Sequence, residues 1–406
     1  MTTPIVLALL LSAAPFQASG PAQQPSSVAR IRIETAAGAA TARDLAGFEC
    51  SEAKELGGVL VRFEGLRSTA SPAADDERAE VLSPGGDRIS GRIRGGRAEL
   101  VDVEILGGVH LGLALDEISS IVFPVRIPAL GTVVPAAPSE GDRVYRRAGT
   151  GLDVIDGGIE EFTSTGVRIH AENVGSKLVP WSEVAALFVE GLSGSAPVAR
   201  APGAGAKVAL DLRDGGRLRG TFERLGAEGC RLATRNGEHL LVPAAAIALL
   251  SVEDGSFGYL SSLPPASAPP SLPFGDDLGM RWECRIDRSV TGAPLGAAGR
   301  QFSRGIGVHA PSRMQWKLDG TWKHLRGSVA VDDEVLRLPS PGSVVFRVLV
   351  DGKPRFESRV LRGGDPPAAI ERIDLEGAKE LELQVDSADG SIVADRADWL
   401  EMILWR

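Results

Sequence analysis

His309, Asp332, Asp333, Asp395 and Asp398 are the residues of this sequence whose types and spacing could do chemistry, and all five fall in its last quarter. Asp332 and Asp333 are neighbours in VAVDDE (329–334). On a strand, adjacent side chains point to opposite faces, so one carboxylate would meet a ligand or Arg326 and the other water. Asp395 and Asp398 precede Trp399 in DRADW (395–399). Carboxylates on a loop suit structural Ca²⁺, a hard cation that takes oxygen ligands. They equally suit a turn whose backbone N–H groups need acceptors. His309 stands beside a strand start, where an imidazole hydrogen-bonds a hydroxyl or caps backbone.

Other chemistry is missing from the sequence. The five histidines (110, 170, 239, 309, 324) form no HExxH pair, and there is no GxSxG elbow or GxxxxGK[ST] loop. Gly305-Ile306-Gly307 lacks the third glycine and the helix of a dinucleotide site. Cys50, Cys230 and Cys284 are odd in number, lie far apart and carry no metal-ligand spacing, which suits small buried hydrophobes. A net charge of −9 with no basic run argues against nucleic acid or an anionic membrane as partner. A glycosidase needs only two carboxylates, so a hidden pair stays open as an alternative.

The elements that position these residues are strands. With 43% hydrophobic residues, 49 Gly and 26 Pro in 406 residues, the chain suits several β-rich modules joined by short turns. In the last third, Met314, Trp316 and Leu318 alternate with polar neighbours, Asp319-Gly320 marks a tight turn, and a second strand runs from His324 to Val331. Upstream, three similar units occupy 79–125, 142–190 and 206–254. Their tails match, with apolar residues at Ile118 and Ile121, Val184 and Leu187, Ile247 and Leu250. In the last two units a proline precedes the tail, at Pro180 and Pro243. Each unit has four or five short strands with glycine turns, which suits a small SH3-like or Sm-like barrel that hides its strand edges. A helical turn is expected before the last strand. Residues 28–66 read as a degenerate fourth β module. Linkers rich in small residues are expected at 66–76, 130–141 and 192–206. The proline-rich 263–273 is placed inside the last module as a surface connection.

The last module, 256–406, resembles the NPCBM family of carbohydrate-binding modules found with glycoside hydrolase family 98. Seven blocks carry the likeness in the family's order: 259–263 (YLSSL), 305–310 (GIGVHA), 329–334 (VAVDDE), 342–353 (GSVVFRVLVDGK), 363–367 (GGDPP), 377–385 (GAKELELQV) and 395–399 (DRADW). Ser262 stands where the family often has an acid, and Ala330 where it often has glycine. The resemblance implies a galactose-binding-like jelly-roll β-sandwich that binds carbohydrate or a cell-surface glycan. The overall expectation is thus an all-β chain of small barrels followed by that sandwich.

Five of six tryptophans (282, 316, 322, 399, 405) lie in this module. Indole rings with polar groups beside them suit a sugar, although a sandwich also uses tryptophan as core. Trp316 and Trp399 suit the core, while Trp322, beside a turn, suits exposure. The candidate sugar site is His309, Trp322, Arg326, Asp332 and Asp333, with Asp395 and Asp398 as the candidate metal pair. Residues 5–16 are an apolar run too short to span a bilayer and suit a signal peptide over 1–22. The expectation is a secreted or periplasmic, cell-envelope protein with no transmembrane segment in the mature chain and no catalysis, its barrels acting as spacers. An interaction protein without sugar binding is the first alternative, and a glycoside hydrolase the second. Burial or dispersal of Trp322, His309 and the Asp332–Asp333 pair would favour the first alternative.

Overall fold

The computed structural model describes residues 29–66, 76–84, 87–128, 135–172, 175–190, 205–272 and 281–406. The expected leader, 1–22, lies outside the described residues, as do most of the expected linkers 66–76 and 192–206 and the first part of 130–141. The described chain is all-β, with short helical turns only.

One connectivity recurs through the first part. In the unit Lys207–Leu212, Arg217–Gly226, Gly229–Ala233, His239–Pro243 and Ile247–Val252, four strands meander and the fifth returns to pair with the first. The units that begin at Asp142–Ala148 and Arg78–Leu82 repeat this pattern. A helical turn precedes the fifth strand at Leu115–Glu117 and Ala244–Ala246. The first segment is a shortened copy: Arg30–Glu34 pairs with both Ala40–Asp44 and Leu60–Glu64, with the turn Ala53–Leu56 between them.

The units join through their closing strands. Ser120–Val122 pairs with Val184–Phe188, so the second and third units form one ten-stranded sheet. Leu60–Glu64 pairs with Ile247–Val252, so the first and fourth form a nine-stranded sheet. A closing strand therefore has a neighbour on both sides and a core on both faces, which is why Val184, Ala185, Ala186 and Leu187 are all sealed at 0% exposure. The matched tail residues at 118, 121, 184, 187, 247 and 250 are all buried in a single hydrophobic core that runs through the four units.

The last module is a sandwich of two antiparallel sheets. One carries Arg285–Ile286, Gly305–His309, Arg396–Trp405, His324–Val331 and Ala368–Asp374 in that order. The other carries Ser312–Lys317, Glu380–Ser387, Val344–Val350 and Lys353–Glu357. Period-2 alternation turns Met314, Trp316, Phe346, Val348, Leu381 and Leu383 inward against Ile306, Val308, Val329 and Trp399. Trp399 is fully buried with Phe346 edge-on at 5.1 Å, and Trp316 donates to the Leu263 carbonyl at 3.0 Å. The second contact ties the proline-rich segment to the sandwich edge, together with a bridge between Ser267 and Gln315.

The sandwich does not stand apart from the barrels. Leu60, Leu249, Phe257, Tyr259, Ile403 and Trp405 form one apolar cluster across the junction. Beside it, buried Asp211 accepts from Arg304 at 2.9 Å and Arg217 at 2.6 Å, and Arg217 also reaches Asp287 at 2.9 Å. Glu401 takes both terminal nitrogens of Arg62, at 2.6 and 2.8 Å.

Candidate functional site

The strand Gly305–His309 lies against Arg396–Trp405, and the register sets His309 opposite Arg396. The imidazole is buried, and its Nδ1 donates to the Ala310 carbonyl at 2.7 Å. Burial lowers its pKa, the Ala310 carbonyl works against that, and the charge of Arg396 lowers it again. The neutral ring with Nδ1 protonated leaves Nε2 as an acceptor. Trp282 lies flat on the imidazole, with centroids 5.2 Å apart and planes at 11°. The Arg396 guanidinium stands 5.8 Å from the indole centroid and donates to Glu334 at 2.7 Å. Glu334 also accepts from the hydroxyls of Thr291, at 2.5 Å, and Ser289. A half-exposed indole is thus bordered by a guanidinium, a carboxylate, a hydroxyl and an imidazole acceptor. That composition suits a polyhydroxylated ring with one apolar face.

Of the five residues expected at a sugar site, the structure brings only His309 here. Trp322 lies at the other end of the module, over the Gly258 backbone and under Arg406, at 5.3 Å. It is near Trp405, whereas His309 faces Arg396, and those two ends of one ten-residue strand are about 30 Å apart. Arg326 turns to the first unit, donating to the Ala36 carbonyl at 2.6 Å and standing 3.7 Å from Glu34. Asp332 and Asp333 do not alternate on a strand, because the strand ends at Val331 and a helical turn follows. Asp332 caps that turn through the Glu334 N–H at 2.8 Å and also accepts from the Gly296 N–H. Asp333 accepts from the N–H groups of Ala298 and Gly299, holding the turn of the hairpin between Leu295–Ala297 and Arg300–Phe302. It is Glu334, one residue on, that faces the site. Trp282 and Arg396 were also missed. The signal available was that Arg396 directly follows Asp395 in a matched block.

Asp395 and Asp398 face different partners. Asp395 accepts from the Ser343 N–H at 2.7 Å, and burial pushes its carboxyl up to about 6. Asp398 is fully buried and hydrogen-bonds the Asp332 carboxyl. Burial first, and then the charge of Asp332, hold it well above the usual carboxylate range, so it keeps its proton. The two acids do not converge as a ligand pair, and no group of three or more His, Cys, Asp or Glu gathers around a metal-sized space among the described residues. Asp332 and Asp398, at 1% and 0% exposure, are also sealed from any substrate. At about pH 5, where the folded carboxyl keeps its proton, Asp395→Ala should therefore destabilise the chain by about 1–3 kcal/mol through the lost Ser343 bond, while EDTA leaves the wild type's melting temperature unchanged. A chelator effect of the same size would instead place a cation at Asp395.

The fold and this cluster define a β-sandwich module with a ring-stacking surface polarised by a salt bridge. Residues 258–404 match the family described as the NPCBM/NEW2 domain. The C-terminal module thus resembles the NPCBM family, as its sequence blocks led one to expect, and the match supports a carbohydrate-binding module. The chain is also similar to Alpha-1,3-galactosidase B of Akkermansia muciniphila, 32% identical over 126 residues. That stretch is 30% of this chain and 15% of the relative's length. Among solved structures, the CBM51 module from Clostridium perfringens GH95 in complex with methyl-galactose is 24% identical, with a TM-score of 0.32, covering 36% of this chain and 99% of that one. The CBM51-2 and INT domains from Clostridium perfringens ZmpB are 28% identical, with a TM-score of 0.32, covering 37% of this chain and 31% of that one. Among the described residues, no helix is long and apolar enough to cross a membrane.

Proposed function

We propose that this is an exported, non-catalytic carbohydrate-binding protein that holds a sugar ring against Trp282. The observation that carries the reading is the indole stacked on neutral His309 beside the Arg396–Glu334 pair. The indole edge and face receive C–H groups, His309 Nε2 accepts from one hydroxyl, and Arg396 and Glu334 supply a donor and an acceptor for others. The relative named as an alpha-1,3-galactosidase makes galactose-bearing glycans the first probes. The decisive experiment is a glycan array with the full chain, followed by calorimetry on the best neutral sugar. Trp282→Ala should weaken binding at least tenfold, about 1.4 kcal/mol or more, without changing the melting temperature. A folded chain that binds no sugar, or a variant that binds as well as wild type, overturns the reading.

One observation favours a second reading, a protein-interaction or structural role. The five residues expected to bind sugar are dispersed, with Arg326, Asp332 and Asp333 all occupied inside the protein. An empty glycan array together with a protein partner recovered from envelope extract would favour it.

A further inference from the structure

The cleft between the first barrel unit and the sandwich has more positive charge than the protein itself neutralises. Strands Arg30–Glu34 and Leu60–Glu64 turn Ile31, Ile33, Val61 and Phe63 into the core, so Arg32, Glu34, Arg62 and Glu64 project from the other face. The register sets Arg32 directly opposite Arg62, a like-charge pairing that is unfavourable unless an anion lies between. Glu34 partly serves, 3.1 Å from Arg32 and 2.9 Å from Arg62. Glu401 is wholly taken up by Arg62. Among the described residues, two further guanidinium groups have no carboxylate partner. Arg213 donates only to the backbone carbonyls of Phe63 and Ala245, at 2.6 and 3.2 Å. The Arg300 side chain makes no ion pair or hydrogen bond among the described residues and stands 5.2 Å over the Phe302 ring.

These groups line one cavity of about 360 Å³, with Arg32, Arg62, Arg213 and Arg300 against Glu64 and Glu401. A second cavity of about 330 Å³ shares Arg32, Arg62, Arg300, Glu64 and Glu401 and adds Arg326 and Glu34. Both fall within the range of about 300–1,000 Å³ usual for ligand sites. Gln301, Ser303 and Ser328 add neutral hydrogen-bonding groups along the same walls.

We propose that this cleft binds the acidic group, carboxylate or sulfate, of an acidic saccharide, at a site separate from Trp282. Paired guanidinium forks match the planar carboxylate and the sulfate oxygens. The hydroxyls of the same sugar meet Glu64, Gln301 and Ser303. The saccharide part of the proposal rests on the carbohydrate-binding reading above.

The test is calorimetry on the full chain with trigalacturonate, its methyl-esterified neutral form, galactose 6-sulfate, galactose and inorganic sulfate. Trigalacturonate or galactose 6-sulfate should bind at least tenfold tighter than its neutral counterpart, more weakly as salt is raised. Which of the two binds identifies the group as carboxylate or sulfate. Arg300→Glu should remove that preference, and because Arg300 is exposed and unpaired its melting temperature should stay that of wild type. Trp282→Ala should leave the acidic preference intact while losing neutral-sugar binding. The inference fails if acidic and neutral probes bind alike, or if Arg300→Glu changes nothing. It also fails if inorganic sulfate binds as tightly as galactose 6-sulfate, which would mean an adventitious ion only. Loss of all sugar binding in Trp282→Ala with Arg300→Glu unaffected would overturn this site and leave the first one standing.

Discussion

Asp211→Ala is expected to destabilise the full chain by about 3–5 kcal/mol, the usual result of leaving a buried charge without its partner. Asp211 is 1% exposed and Arg304 2%. Burial alone would push the Asp211 carboxyl up, but the charges of Arg304 and Arg217 outweigh it and hold the group below its ordinary value. Without Asp211, Arg217 keeps Asp287, whereas Arg304 keeps only the face of Tyr259 at 4.8 Å. The sandwich would then be held to the fourth unit by the Arg217–Asp287 pair and the apolar cluster. Urea unfolding of the variant should show a lower midpoint and a separate early transition for the sandwich. Pairing the change with Arg304→Met should recover much of the loss, since a matched apolar pair needs no counter-charge. A single variant within about 1 kcal/mol of wild type would show that water reaches this network freely.

The second large effect is of pH. Asp395 rises to about 6 through burial, and Asp332 and Asp398 are also raised, burial again being the main cause. Below about pH 4 these acids are protonated in both folded and unfolded chains. Between about 4 and 6 the folded chain keeps a proton on Asp395 that the unfolded chain gives up, so stability falls as pH rises. For Asp395, 1% exposed, a carboxyl raised to about 6 corresponds to about 3 kcal/mol. Asp398 extends the decline to higher pH. Asp211, held low, acts in the opposite sense and destabilises the fold only as pH drops below about 4. Melting temperatures between about pH 5 and 8 should therefore decrease, and Asp398→Asn, which cannot ionise, should flatten the upper part of the curve. A wild-type curve that is level over this range would show that these carboxyls ionise as freely as in water.

Much of the fold was legible because burial leaves a period. Met314, Trp316 and Leu318 alternate as a strand must, and the recurrent tail pair at 184 and 187 marked the repeat of one unit. What the period could not show is which units join, since the pairing of Val61 with Leu250 depends on two closing strands that resemble all the others. The site was legible only at His309. Asp332 and Asp333 were drawn to the eye by charge, but a helical turn after Val331 rotates them onto backbone N–H groups and leaves Glu334 outward. Arg326 looked free for a ligand because its partner, the Ala36 carbonyl, lies nearly the whole chain away. Trp282 has no patterned strand around it to announce its exposure.

The nested pairing of the barrel units has a consequence for how the chain assembles. The second and third units are neighbours in sequence and can close on each other as soon as both exist, whereas the first waits for the fourth. Until residues near 252 emerge, Leu60–Glu64 is a hydrophobic strand with one bare edge. Contacts so distant in sequence carry a loop-closure cost that must be met before they stabilise anything. Pairing of this kind favours an order in which the second and third units join before the first and fourth.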